Sequence, residues 1–247
     1  MKRIFDLFTS AIGLLVAAPL LIPICFFIWL QDRHSPFYIA ERVGKGHRPF
    51  RMVKIRSMIV KADRTGVDST AGDDKRITPV GHLVRKLKLD ELSQLWNVLK
   101  GDMSVVGPRP NVPREVALYT AEEKRLLEIR PGITDLSSIV FADEGDILQG
   151  EEDPDLRYHQ IIRPWKSRLG LLYVRKAEFF LDLELIFLTV INSFARSWAL
   201  RKVSQIVCNL GGDSELVEVA SRRKGLLPNP PPGSNEIVSQ IVRELRL

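Results

Sequence analysis

Residues Ile4 to Leu30 form a single apolar run interrupted only by Asp6, Thr9, Ser10, Gly13, Pro19 and Pro23. As a helix these 27 residues would reach about 40 Å, against about 30 Å for the hydrocarbon core of a bilayer. Three arrangements compete. A cleaved signal peptide fits the opening Lys2–Arg3 pair, but Asp6 and the length of the run argue against it. A spanning helix is what hydropathy alone describes. The third is a re-entrant helix that enters and leaves by the same face. Pro19 lacks a backbone donor and its ring crowds the preceding turn, so a kink is expected near Ala18–Pro19, with Pro23 one turn later. Each arm would then hold ~13 residues, too few to cross. Lys2 and Arg3 precede the run, and Arg33, Arg42, Lys45, Arg48, Arg51, Lys54 and Arg56 follow it against Asp32 and Glu41. Both ends therefore favour the cytoplasmic side. The hairpin is the favoured reading, and a kinked spanning helix satisfies the same residues.

The rest of the 247 residues must supply whatever works at that membrane. A chain of this length holds one large domain or two small ones. The net charge of +6 points to nucleic acid, anionic lipid or a phosphorylated substrate without choosing among them. Cys25 and Cys208 make neither a disulfide framework nor a metal spacing, which fits a reducing compartment. The four histidines are scattered and read as solvated or structural.

From Phe37 to Met58 the residues suggest two short strands around a Gly44/Gly46 turn. Gly-Lys-Gly there is no dinucleotide fingerprint, because Pro49 holds the third glycine position and no helix follows. Lys61 to Pro79 reads as a loop. Val80 to Lys100 has helical spacing, with Leu83 and Leu87, then Leu92, Leu95, Trp96 and Leu99 as its apolar positions. Pro113 to Ile129 reads as an exposed charged helix, and Ala142 to Pro154 as acidic surface without EF-hand spacing. Phe179 to Phe194, at 16 residues, is short for a span and suits a core helix or one lying in the membrane interface. Pro228 to Pro232 is a stiff breaker, after which Ser234 could cap a last helix through Ile237, Ile241 and Leu245.

The densest chemistry lies between Lys88 and Pro110. Asp90 and Glu91 follow the basic residues Arg85, Lys86 and Lys88, and a helix starting near Leu89 would put both acids in its first turn, where the dipole favours their ionised forms. An acid pair at a helix start is ordinarily only that. Adjacent helical side chains diverge by about 100°, so one acid can serve as nucleophile or metal ligand while the other orients. Gly107–Pro108–Arg109–Pro110 holds an arginine between prolines, a restrained fork suited to a phosphate. Arg130–Pro131–Gly132–Ile133–Thr134 is a second turn of similar make.

The stretch LDELSQLWNVLKGDMSVVGPRP, with VGKGHRPFRMVKIRSM upstream and RPGIT downstream, resembles the monotopic phosphoglycosyl transferases among the bacterial sugar transferases. The likeness covers about residues 1 to 200, and the tail after Val203 lies outside it. It implies transfer of a sugar-1-phosphate from a nucleotide diphosphosugar, usually a UDP-sugar, to a polyprenol phosphate such as undecaprenyl phosphate. UMP is released and magnesium (Mg2+) is the cofactor. Asp90 would be the nucleophile forming an aspartyl-phosphosugar, and Glu91 the family's following acid, the two together holding the metal. Arg85, Arg109 and Arg56 match its phosphate-binding bases, and Pro19 its membrane-helix break. The setting implied is the cytoplasmic face of the bacterial inner membrane, at the first membrane step of surface polysaccharide or glycoconjugate synthesis. Membrane lipid, a second copy of the chain and downstream glycosyltransferases are the further partners expected. Nucleic acid is not among them, since no recognition helix or base-stacking aromatic run accompanies the charge.

One position departs. The family has an aspartate before the tyrosine of the stretch matching Leu169–Gly170–Leu171–Leu172–Tyr173–Val174, and Gly170 stands in its place. A catalytically impaired, membrane-anchored scaffold of the same fold is the competing expectation. The fold expected is α+β, mainly helical with a short β-hairpin and interfacial amphipathic helices. It divides into a re-entrant anchor (1–34), a catalytic domain (35–202) and an extension of unassigned role (203–247).

Overall fold

A computed structural model of the chain describes residues 1–62 and 74–240. The apolar run is one helix, α1 (Lys2–Asp32), continuous through Pro19 and Pro23, so no helix boundary falls at Ala18–Pro19. A proline deletes one backbone bond, and the turns on either side keep the helical path. By length and hydropathy α1 is able to cross a membrane. Phe8, Ile12, Leu15, Val16, Ile22 and Phe27 project from it exposed, while Asp6, Ser10, Ala17, Ile24 and Ile28 are buried against the rest of the chain.

Both ends of α1 are fastened to the same body. At its start, Lys2 Nζ donates to Val106 O (3.0 Å), Tyr173 OH (2.8 Å) and Asp182 (2.5 Å). Arg3 donates to the carbonyls of Val98 and Leu99, and Asp6 accepts from Ser104 Oγ and Val105 N. At its finish, Arg56 grips Asp32 through both terminal nitrogens, at 2.5 and 2.7 Å. There Ile24 and Ile28 pack with Ile55, Val84 and Leu89.

The predicted strands form an antiparallel hairpin, β1 (Phe37–Val43) and β2 (Pro49–Ile55), with Phe37 opposite Ile55 and Val43 opposite Pro49. Gly46 supplies a left-handed turn residue at φ 66°. The helical pattern over Val80–Lys100 is divided into three short helices, α2 (Pro79–Lys86), α3 (Leu89–Leu92) and α4 (Leu95–Lys100), and the start considered near Leu89 is that of α3, with both acids in its first turn. Lys88, at φ 52°, turns the chain between the first two. Of its apolar positions, Leu83, Leu87 and Trp96 are exposed.

Strand β3 (Ser104–Val106) pairs in parallel with β4 (Gly132–Thr134), a second small sheet with no strand-like pattern in the sequence. Between them the expected exposed helix is replaced by α5 (Pro113–Ala117) and a 3-10 turn over Glu123–Glu128. Its charges are not all solvated: Glu123 is fully buried against Arg163.

Helices α6 (Leu136–Val140), α7 (Glu144–Ile147), α8 (Pro154–Ile161), α9 (Arg163–Lys176), α10 (Phe179–Asn192), α11 (Arg196–Asn209) and α12 (Ser214–Ser221) complete the body. The main core gathers Leu136, Ile139, Trp165, Leu169, Leu185 and Val203. Helix α10 buries Leu181, Leu185 and Leu188 and leaves Phe180, Phe187 and Val190 exposed, so it is a core helix on one side only. The acidic stretch after Ala142 contributes α7, with Leu148 fully buried behind it. Ser234 starts no helix through Gln240, and Ile241 and Leu245 lie outside the described residues.

Candidate active site

The hairpin supplies the floor on which the acid pair sits. Asn97, fully buried, donates to Arg51 O and accepts from Val53 N, while Ser93 Oγ donates to Val53 O and Asp90 O. These two side chains satisfy the free edge of β2 and dock α3 and α4 onto it. They are the contacts that a hydropathy pattern passes over, since Ser93 and Asn97 look like polar surface positions of one helix. Lys88 holds a left-handed backbone just before the pair, the kind of local strain that ordered sites store.

Around the acids stand cations. Lys54 of β2 lies 4.0 Å from Asp90, and Arg109 pairs with Glu91 at 2.8 Å. Arg85 donates to Ser57 Oγ, with Asp90 close enough to favour its charge. Arg42 adds to the positive field near Arg109, with Arg114 in turn close to Arg42. The four side chains Asp90, Glu91, Lys54 and Arg109 are 18–32% exposed, open to a ligand but largely shielded.

The two acids differ as the sequence required, for a different reason. Helix α3 has only four residues, so its dipole contributes little. Burial pushes the Asp90 carboxyl above its ordinary value, against the pull of Lys54. Burial alone would raise Glu91 too, but Arg109, Lys88 and Lys54 together hold it below its ordinary value. Lys54 is lowered to about 8 by burial, with Arg109 adding to the shift. Asp90 is thus the more basic carboxylate and Glu91 the permanently charged partner of an arginine.

The two turns of similar make are neighbours. Gly107 N donates to Thr134 O and Gly132 N to Pro108 O. A Cβ on Gly132 would come within 2.1 Å of Gly107 N, so this crossing excludes any side chain. It fixes Pro108 and, with it, the backbone of Arg109. Arg109 pairs with Glu91 and Arg85 stays bonded to Ser57 within the field of Asp90, whereas the Arg56 guanidinium is engaged by Asp32 at the end of α1. Lys54 was legible only as one of a run of bases. The alternation of β2 that sets it beside Asp90 was the available signal. Gly170 lies buried in α9, where a Cβ would meet Leu126 Cδ2 at 2.8 Å and Pro108 at 3.8 Å. The departure from the family pattern thus stands directly behind the Gly-Pro-Arg-Pro turn.

No group of three or more His, Cys, Asp or Glu able to hold a metal occurs among the described residues. Magnesium bound by one or two carboxylates completes its shell with water and substrate phosphates. The hard oxygens of Asp90 and Glu91 fit that donor set. An apolar groove of about 670 Å³ opens between α1 and the hairpin, lined by Leu14, Ala18, Cys25, Ile39, Ser93 and Trp96, and Ser93 also bonds the Asp90 carbonyl.

A long apolar helix fastened at both ends beneath a cation-framed carboxylate pair defines a membrane-associated protein whose site suits anionic, phosphorylated ligands. The chain belongs to the bacterial sugar transferase family, whose profile matches residues 1–196. It is 37% identical over 191 residues to the uncharacterized sugar transferase EpsL of Bacillus subtilis, covering 77% of this chain and 85% of that one. It is 36% identical over 196 residues to the undecaprenyl-phosphate glucose phosphotransferase of Komagataeibacter xylinus, covering 76% and 35%. With the UDP-N-acetylgalactosamine-undecaprenyl-phosphate N-acetylgalactosaminephosphotransferase of Aeromonas hydrophila it shares 34% identity over 173 residues, covering 66% and 40%. The chain thus spans less than half the length of the latter two relatives.

Proposed function

We propose that this chain transfers a sugar-1-phosphate from a UDP-sugar to undecaprenyl phosphate through a covalent intermediate on Asp90. The observation that carries the reading is the partly shielded Asp90 carboxylate set among Lys54, Arg85 and the Glu91–Arg109 pair, its carboxyl raised by burial. In the first step an Asp90 oxygen bonds to the phosphorus that bears the sugar. The bond from that phosphorus to the bridging oxygen breaks, and UMP leaves with the oxygen and the electron pair. In the second step a phosphate oxygen of the acceptor attacks the same phosphorus, the bond to Asp90 breaks, and the carboxylate is restored. Two easier displacements replace one difficult one.

Lys54, Arg85 and Arg109 screen the charge that an anionic nucleophile meets at a diphosphate. Glu91 orients Arg109, and with Asp90 would hold magnesium, which when bound neutralises phosphate charge. The groove suits the acceptor's prenyl chain, and Ser93 bridges it to Asp90 through the carbonyl bond. The relatives' names supply the undecaprenyl carrier and the UDP-activated donor.

The setting proposed is the cytoplasmic face of the inner membrane, with both ends of α1 on that face. Support comes from the bonds of Lys2, Arg3 and Asp6 at one end and Asp32 at the other to a single body. A helix with its start across the bilayer could not make both sets. Exposed Phe180, Phe187 and Val190 suit α10 to the interface. Cysteines placed at position 35 and ahead of Met1, in a chain lacking Cys25 and Cys208, are expected to resist an impermeant maleimide added outside intact cells. Labelling of either one rules the arrangement out.

Purified chain with undecaprenyl phosphate, magnesium and a panel of UDP-sugars should release UMP with at least one donor and fall silent on chelation. A silent panel with folded protein favours the scaffold that Gly170 suggested. The pH profile is a second check. Protonation silences Asp90, so the rate should rise with pH through a value above the ordinary aspartate range. It should fall again as Lys54 loses its charge near 8. Lys54→Arg keeps the charge and should remove the alkaline fall, and an unchanged fall assigns it elsewhere.

A further inference from the structure

Residues beyond Arg196 lie outside the stretch that the family profile matches. Yet residues 222–240, which carry neither helix nor strand, run back across the body and are held there. Asn229 N donates to Gln160 O (3.0 Å), Arg168 donates to Asn229 Oδ1 (2.9 Å), and Gln160 Nε2 donates to Val238 O (3.0 Å). Thr120 Oγ1 donates to Pro232 O at 2.5 Å, and Pro231 and Pro232 are buried. Gly233, at φ 78°, passes so near Glu122 that a Cβ would lie 3.1 Å from the Glu122 Cβ. The Pro228–Pro232 run is stiff before it docks, so ordering it sacrifices little entropy.

The strap rests on a turn with two routes to Arg109. Thr120 and Glu123 cap one another, Thr120 N donating to Glu123 Oε2 and Glu123 N to Thr120 Oγ1. On one route, Tyr119 OH accepts from Asn111 Nδ2 at 2.6 Å, and Asn111 O accepts from Val43 N of β1. On the other, Leu126 at the far end of the turn packs into the space left by Gly170, with Pro108 beside it. Asn111 and Pro108 bracket Arg109 in the chain. The elements between are short, α5 at five residues and the 3-10 turn at six, and such elements depend on tertiary contacts to hold their shape.

We propose that residues 222–240 are a positioning strap for Arg109. By holding the Thr120–Glu123 turn from outside, the strap fixes the segment from Pro108 to Tyr119 and so the guanidinium that pairs with Glu91. The inference rests on the phosphate-binding role of Arg109 proposed above. Misplacing a substrate-positioning group by about 1 Å costs about 100-fold, and loosening one of several should cost about tenfold.

The test is removal of residues 225–247 from the full chain, which leaves α12 in place. Amide exchange over residues 108–120 should quicken about tenfold while the core helices α9 and α10 keep their protection. In the active chain kcat/KM for the nucleotide sugar should drop about tenfold, mainly through KM, and a peptide of residues 225–240 added in trans should restore both. Full-length Gln160→Ala and Thr120→Val should show the same exchange change in smaller measure, with Thr120→Ser behaving as the parent. These variants decide the matter if the shortened chain fails to fold. Unchanged exchange over 108–120, or lost activity with exchange unchanged, overturns the strap. Exchange is read without substrate, so a failed donor panel and a failed strap give different results.

Discussion

An Asp90→Asn chain is expected to lose turnover by more than about 10,000-fold and to trap no labelled phosphosugar. The amide occupies the same space and cannot form the phosphorus–oxygen bond. Asp90→Glu is the weaker variant, because a longer carboxylate can still reach. Stability should move the other way. Burial raises the folded pKa of Asp90, so its charge opposes folding at every pH above the ordinary aspartate value. Asp90→Asn should therefore melt at or slightly above the parent at pH 7, and the difference should vanish as pH falls below the ordinary carboxylate range. A variant that is inactive and also clearly less stable would mean that Asp90 holds the fold rather than the chemistry.

Arg163→Met should have the largest effect on stability. Arg163 is 4% exposed and its partner Glu123 fully buried, with bonds of 2.6 and 3.1 Å between them. Removing one member of a buried pair costs about 3–5 kcal/mol, and at this chain length that lowers the melting temperature by about 10 °C. Adding Glu123→Gln removes the stranded charge: the amide oxygen still accepts from the Thr120 amide (3.0 Å), and the amide nitrogen can donate to Ser167 Oγ, which bonds the other Glu123 oxygen at 2.7 Å. The double variant should recover most of the loss. If it melts no higher than Arg163→Met alone, the stabilisation comes from packing and from the Leu118 carbonyl that Arg163 also bonds.

What the sequence disclosed followed the range over which each signal acts. The β-hairpin and α10 were readable because turn chemistry and apolar runs are local. The acid pair and the Pro-Arg-Pro turn stood out by residue type, and Arg109 does meet Glu91. A helix start near Leu89 was readable from the acid pair, but the further break before α4 was hidden because Leu92, Leu95, Trp96 and Leu99 keep a helical apolar spacing across it. The β3–β4 pair joins residues far apart in sequence through three-residue strands, too short to carry a periodicity. Arg56 matched a motif, but its guanidinium is taken by Asp32, a partner 24 residues earlier that spacing could not indicate.

The way α1 is fastened sets an order of events during synthesis. Lys2, Arg3 and Asp6 leave the ribosome well ahead of their partners at Val98, Leu99, Ser104, Tyr173 and Asp182. At ordinary translation speeds the last of these follows by about 10–40 s. Through that interval the helix is already apolar enough to seek lipid while its polar end has nothing to bind. Lipid that takes up α1 in that interval would hold an unfinished protein, and the seating of its polar end on the body would close folding rather than open it.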